Sequence, residues 1–346
     1  MITMGIQQRY EKIVPCLSAI ERLWREELNE RKHLLSISSS VGKEFQWDPN
    51  RIKEFCLRLG FNGAEIRFEN FKDPYVLGIL SGSKDFFLTG HLTDFAYWLY
   101  SSQQISRIMQ KEERKTYFGN PDHQRAVKER FLQELELAEK LGINILTFHA
   151  AQIELLGVLE GNFLFSDEEV LDRVKEFVIE NLSLASFKGK LGLENDSVYT
   201  KGMRLPQHFE TLLNSINMPS VGITLDTAHL VAHSIKLELS DKVMKRTLVV
   251  HLSEPNPLGT EIPKVSTKEI QTAIKQGFMS LRSLAGKVAG AVDVHNPVGE
   301  VITDIREVLS KLYQVSPSVI IVHELKTSLD LLPQACKIQQ AQLVTL

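Results

Sequence analysis

The chain has 346 residues, 43% hydrophobic and 24% charged, with a formal net charge of −3. These values place it among globular proteins longer than one small domain; one (β/α)8 barrel with extensions or two smaller domains would absorb the length. They also exclude a basic field that would advertise a polyanion partner.

The N-terminus turns polar too early for a secretory leader, and no stretch approaches the roughly 20 apolar residues of a membrane span. Cys16, Cys56 and Cys336 lie far apart, outside any C-x-x-C pairing. That usage fits a reduced compartment, so a cytoplasmic protein is expected.

Residues 6–32 carry apolar positions at helical spacing, interrupted by Pro15, and predict a helical extension over 1–32 that lies against a barrel over 33–346. The first strand is expected at 33–38, then a helix capped by Asp48 with Pro49 at its first position, closing at Gly60. The second strand is expected at 63–67 and the third at 86–91, ending in His91. An aromatic segment follows at 95–100. A long amphipathic helix opens at Asn120-Pro121 and closes at Gly142, and the fourth strand, 143–149, again ends in histidine.

Ser166 and Glu169 form a capping box. The fifth strand, 190–194, ends in Glu194. The sixth begins V-G-I-T-L-D-T-A-H at Val221, and the seventh, 248–252, carries His251. A long excursion over 254–298, with an insertion at about 254–290, has its own capping box at Ser266 and Glu269 and carries D-V-H at 293–295. The last strand is 319–324, ending in Glu324.

Eight short apolar runs alternating with helical patterns predict a (β/α)8 barrel, in which the C-terminal strand ends form the active-site face. Those ends carry His91, His149, Glu194, Asp226, His251 and Glu324, with His229, Asp293 and His295 in loops on the same face. Each motif alone is weak, since a D-x-x-H at a strand end is equally a helix cap followed by a packed histidine. The recurrence at one end of apolar strands is what points to a site.

Nine such ligands exceed the needs of one ion unless several lie in an outer shell, and suit two or three. Imidazole and carboxylate without thiolate favour Zn2+, with Mn2+ or Fe2+ as alternatives. Clusters of this kind polarise a phosphoryl oxygen, activate water and stabilise a leaving oxygen. The subset Glu194, Asp226, His251 and Glu324 could instead hold one cation that chelates neighbouring sugar oxygens while two carboxylates move protons.

The stretches G-F-N-G-A-E-I, F-L-T-G-H, A-E-K-L-G-I-N-I-L-T-F-H, L-G-L-E-N, V-G-I-T-L-D-T-A-H, V-V-H-L-S, D-V-H-N-P-V-G-E and I-I-V-H-E resemble the xylose-isomerase-like TIM barrel superfamily over about 33–330. That superfamily holds sugar isomerases and epimerases and the endonuclease IV family. The four-residue subset resembles the single-metal site of the isomerase branch, where Glu194 and Glu324 would be the catalytic acid-base pair. His91, His149, His229 and the D-x-H resemble the remaining ligands of endonuclease IV.

Carried over from the endonuclease, the resemblance implies one zinc on His91, His149 and Glu194, a second on Glu194, Asp226, His251 and Glu324, and a third on His229, Asp293 and His295. The chain departs from that family at Ala150-Ala151-Gln152, where a proline-glycine-serine turn is expected. It departs again at Asp94, where a wedge tyrosine is expected, and in the length of the excursion after the seventh strand. These departures oppose tight duplex DNA binding and leave a sugar or small phosphoester as the expected substrate.

Glu65 and Arg67 share a facing on the second strand and form either an internal ion pair or a substrate contact. Lys201 and Lys326 follow the fifth and eighth strands, where each is either a substrate-phosphate ligand or a solvated lysine. His323 alternates away from the interior and is expected to be a packed or solvated histidine rather than a ligand. The functional expectation is a phosphoester hydrolase with an endonuclease IV-like multinuclear site. The alternatives are a single-metal isomerase or epimerase and a barrel that binds metal without catalysis.

Overall fold

Among the described residues there are ten short strands: β1 (His33–Ile37), β2 (Gly63–Arg67), β3 (Phe87–His91), β4 (Ile145–His149), β5 (Ala151–Ile153), β6 (Lys190–Glu194), β7 (Thr200–Gly202), β8 (Val221–Asp226), β9 (Thr247–Leu252) and β10 (Ile320–His323). Eight of them close into a barrel in the order β1-β2-β3-β4-β6-β8-β9-β10, each parallel to its neighbours, with β10 pairing back onto β1. The computed structural model describes residues 2–68, 84–94, 97–106, 111–120, 122–153, 163–196, 200–232, 238–255, 272, 295–298 and 305–345. The expected capping box at Ser266 and Glu269, and Asp293, lie outside those residues. Among the described residues, no helix is long and apolar enough to cross a membrane.

The expected strand bounds agree with the observed ones to within two residues. Helix starts also follow local chemistry. The Asp48 carboxylate accepts from Asn50 N and Arg51 N at the head of the helix Pro49–Arg58. At Ser166 the box with Glu169 forms from both sides. The long helix begins at His123 with Asp122 as its cap and ends on Gly142, whose φ of 72° is the left-handed conformation glycine tolerates. β5 and β7 form a separate antiparallel ribbon, Gln152 opposite Lys201, that the sequence reading did not anticipate.

Alternation divides each barrel strand into wall and interior. Wall residues such as Leu35, Ile37, Ile66, Leu191, Leu193 and Ile223 join the main core under the helices. Inside, Leu34, Val249, Ile320 and Val322 make an apolar plug. Above it Thr147 on β4 and Thr224 on β8 meet over the intervening β6, Oγ1 to Oγ1 at 3.0 Å. Gly192 leaves room for that contact, since a Cβ there would meet Thr224 Oγ1 at 2.2 Å. The next inward step brings up the strand-end residues.

The N-terminal helices Ile2–Ile13 and Leu17–Glu30 pack against the C-terminal helix Leu332–Thr345. Trp24 fits over the β1–β10 seam against His33, Phe61 and His323 and donates to Gly60 O at 2.6 Å. His323 is therefore packed outside the barrel, with Nε2 at 3.0 Å from His33 Nδ1. Burial drives His33 below its usual value even though Glu27 sits 3.1 Å from its Nε2. Burial and then the neighbouring His33 push His323 well below its own.

Both rings are thus more readily protonated in the unfolded chain. The stability they contribute is present above the unfolded value of about 6.5 and is lost as pH falls below it, at no more than about 1.4 kcal/mol per pH unit for each ring. Urea unfolding at pH 7 and pH 5 should show this loss, and His323→Leu, which removes one titrating ring, should lose less between the two pH values. An equal loss in both proteins would clear the pair of the effect.

Candidate metal centre

Seven of the expected ligands converge at the C-terminal strand ends because each lies on the inward facing of its strand or just beyond it. Glu194, at the end of β6, is the hub. Its Oε2 lies 3.0 Å from His91 Nε2 and 3.0 Å from His149 Nε2, and its Oε1 lies 2.6 Å from His251 Nδ1. Glu324 Oε2 reaches the same His251 Nδ1 at 3.2 Å.

The rings of His251, His91, His149, His229 and His295 form a chain with successive centroid separations of 5.7, 4.9, 6.2 and 5.6 Å. His295, the eighth ligand, is brought in by the closing of the long excursion. Glu254 and Asn296 pair as an antiparallel bridge, and Lys326 N donates to His295 O at 3.0 Å.

Asn195 straps β6 to β8: its side chain donates to Asp226 O at 2.9 Å and accepts from Asp226 N at 2.8 Å. Asp226 Oδ1 accepts from His229 N at 2.9 Å, so the cap reading of D-x-x-H holds for one oxygen. The other oxygen, Oδ2, is buried without a hydrogen-bond partner, 3.7 Å from His229 Nδ1 and 3.9 Å from His295 Nδ1.

An orphaned carboxylate oxygen facing two imidazoles fits a cation better than a structural role, because burying it unpaired is costly. Among the described residues, ligand atoms lie within 4.8 Å of one another in three groups: His91, Glu194 and His251; Asp226, His229 and His295; and Glu194, Asp226, His251 and Glu324. His149 joins through Glu194 rather than as a member of these groups.

Burial lowers the His149 imidazole, but Glu194, Asp94 and Asp196 outweigh it and raise it to about 10. Burial likewise opposes charge on His251, which Glu65, Glu194 and Glu324 raise well above its usual value. Glu194 is raised by burial and brought well below the carboxylate range by His149 and His251. Glu324 is brought down in the same way by His295, Arg67 and Lys326. Ring protons and a cation compete for the same lone pairs, so a cation taken up here would release protons.

The remaining candidates divide. Arg67 Nη1 meets Glu324 Oε1 at 2.6 Å, and Lys326 Nζ stands 3.6 Å from the same oxygen. Glu65 bonds Ser36, Thr89 and His251. Lys201 Nζ lies over the Phe163 ring, 4.8 Å from its centroid. Tyr97–Tyr100 are buried, and Trp98 packs on Phe148 and Phe177 and donates to Ala151 O, which is a packing role.

Sequence reasoning overlooked Asn195 and Asp196. Asp196 Oδ2 accepts from His149 Nδ1 at 3.0 Å and is one of the carboxylates that raise that imidazole. The E-N-D run after the fifth barrel strand was the signal.

A closed parallel barrel with an imidazole–carboxylate array at the C-terminal strand ends defines the class of protein. The family model described as xylose isomerase-like TIM barrel matches residues 54–342, and the chain belongs to that family. Similar solved structures include the IolI protein with a bound zinc atom (16% identity, 90% of this chain and 95% of that one, TM-score 0.54). D-psicose 3-epimerase from Clostridium cellulolyticum is also similar (13% identity, 90% and 96%, TM-score 0.53). So is endonuclease IV from Thermus thermophilus (17% identity, 90% and 98%, TM-score 0.49). At these identities the first two likenesses show the fold alone. No curated protein matches the chain in sequence.

Proposed function

We propose that the chain is a metal-dependent hydrolase of a small phosphoester, built on two or three transition ions, with zinc as the resident metal. The observation that carries this reading is the group Asp226, His229 and His295 standing beside the four-residue group. One cation takes four to six ligands. On a single-metal scheme, the four imidazoles of His91, His149, His229 and His295 would gather beside the cation without ligating it.

One ion would be held around His91, His149, Glu194 and His251, one by Glu194, Asp226, His251 and Glu324, and one by His229 and His295 with Asp226 or Asp293. When bound, such ions supply Lewis-acid polarisation of a phosphoryl oxygen and neutralise charge at the entering and leaving groups. Arg67 and Lys326, both at Glu324, offer the substrate's anionic oxygens a positive rim. A net charge of −3 and Asp94 in place of an expected wedge tyrosine favour a small substrate over duplex DNA.

Elemental analysis with anomalous diffraction tests the reading. The purified protein should carry two or three ions per chain, at ligand distances of about 2.0–2.2 Å. One fully occupied site on Glu194, Asp226, His251 and Glu324, with His91 and His149 unliganded, would replace it by a sugar isomerase or epimerase. What favours that second reading is that Glu194 and Glu324 flank one position, at 2.6 and 3.2 Å from His251 Nδ1. Two carboxylates about one centre are what proton transfer at a sugar carbon requires.

A further inference from the structure

Glu65 lies wholly buried inside the barrel, one inward step below Arg67 on β2, in register with Ser36 on β1 and Thr89 on β3. Both hydroxyls donate to it, Ser36 Oγ at 3.3 Å and Thr89 Oγ1 at 3.1 Å. Its third partner comes from across the barrel: Oε2 lies 3.2 Å from His251 Nε2. The position is below the ligand layer and closed to substrate.

The ring of His251 is oriented unlike those of its neighbours. His91 and His149 turn Nε2 toward Glu194 and give Nδ1 to Leu92 O and to Asp196. His251 turns Nδ1 toward Glu194 and Glu324 and sends Nε2 down to Glu65. A carboxylate facing Nε2 requires a proton there, which leaves the Nδ1 lone pair for the centre where Glu194, Asp226 and Glu324 meet.

We propose that Glu65 is the positioning residue for His251, locking the tautomer and ring orientation in which His251 binds metal through Nδ1. The role rests on the metal-centre reading above and goes beyond it, since neither a substrate contact nor a pair with Arg67 accounts for the geometry. The two hydroxyls hold the carboxylate in place, and the carboxylate holds the imidazole.

The test measures zinc affinity by chelator competition in the full-length protein, with Glu65→Ala and Glu65→Gln beside it. Glu65→Ala should bind its tightest zinc about 10- to 100-fold more weakly. Glu65→Gln should restore most of the affinity, because its amide oxygen accepts the same Nε2–H. Wild-type affinity in Glu65→Ala, or a loss in Glu65→Gln as large as in Glu65→Ala, would overturn the assignment.

A measurement on the unaltered protein covers a variant that fails to fold. Long-range proton–nitrogen NMR of zinc-loaded protein should show His251 protonated at Nε2 and coordinated at Nδ1, and the reverse assignment overturns the proposal. If the unaltered protein takes up no zinc, the metal-centre reading falls and this proposal with it. If it takes up zinc and Glu65→Ala matches it, this proposal alone falls.

Discussion

Glu194→Gln should lower turnover by at least about a thousandfold while the barrel still folds. The residue is the meeting point of three imidazoles, at 3.0, 3.0 and 2.6 Å. The amide preserves shape but removes the charge that raises His149 and His251, and it turns an N–H group toward a ring nitrogen that needs an acceptor. Removing one preorganised electrostatic contact costs roughly a hundred- to a thousandfold in kcat. Here a ligand shared by two groups of donors is lost as well.

The fold should survive because the strand wall around the site is packed by residues the change does not touch, such as Leu193 and Leu225. Metal content, far-ultraviolet circular dichroism and turnover on phosphoester and keto-sugar panels check it together. Full activity with native metal content would remove both enzymatic readings.

The double variant His229→Ala, His295→Ala separates those readings. Both imidazoles belong to the group with Asp226 and neither to the set Glu194, Asp226, His251 and Glu324. For phosphoester hydrolysis, losing them removes electrostatic stabilisation where charge develops on a departing oxygen. The expected result is a fall in kcat of at least about a hundredfold, little change in KM, and one ion fewer per chain. For an isomerase the other four ligands still hold the working cation, and turnover of a keto-sugar should be largely kept. Unchanged phosphoesterase turnover after loss of that ion would defeat the multinuclear scheme.

Much of the barrel could be read in one dimension because its signals are local. Asp48 and Ser166 cap through bonds to backbone two or three residues away, Gly142 closes its helix through its own φ, and alternation along 190–194 places Glu194 inward whatever lies opposite. The β5–β7 ribbon was illegible because each strand has three residues and their pairing spans the helix Asp167–Leu184. The turn at Tyr97–Leu99 was equally hidden, since aromatic spacing does not reveal that Tyr97 takes a φ of 60°.

At the site, residue types and the strand ends that carry them followed from the sequence alone, as did the expectation that they share one face. Tertiary structure decided which atoms meet. His251 and Glu65 are separated by 186 positions, and His33 and His323 by 290. Closing eight strands into a ring sets those distances through the stagger of neighbouring strands, including the register shifts at Ala64/Glu65 and Ile223/Thr224. Periodicity along a strand specifies on which side a side chain lies, whereas the partner it finds across the barrel, and the ring nitrogen it offers, depend on how far every strand has slid against the next.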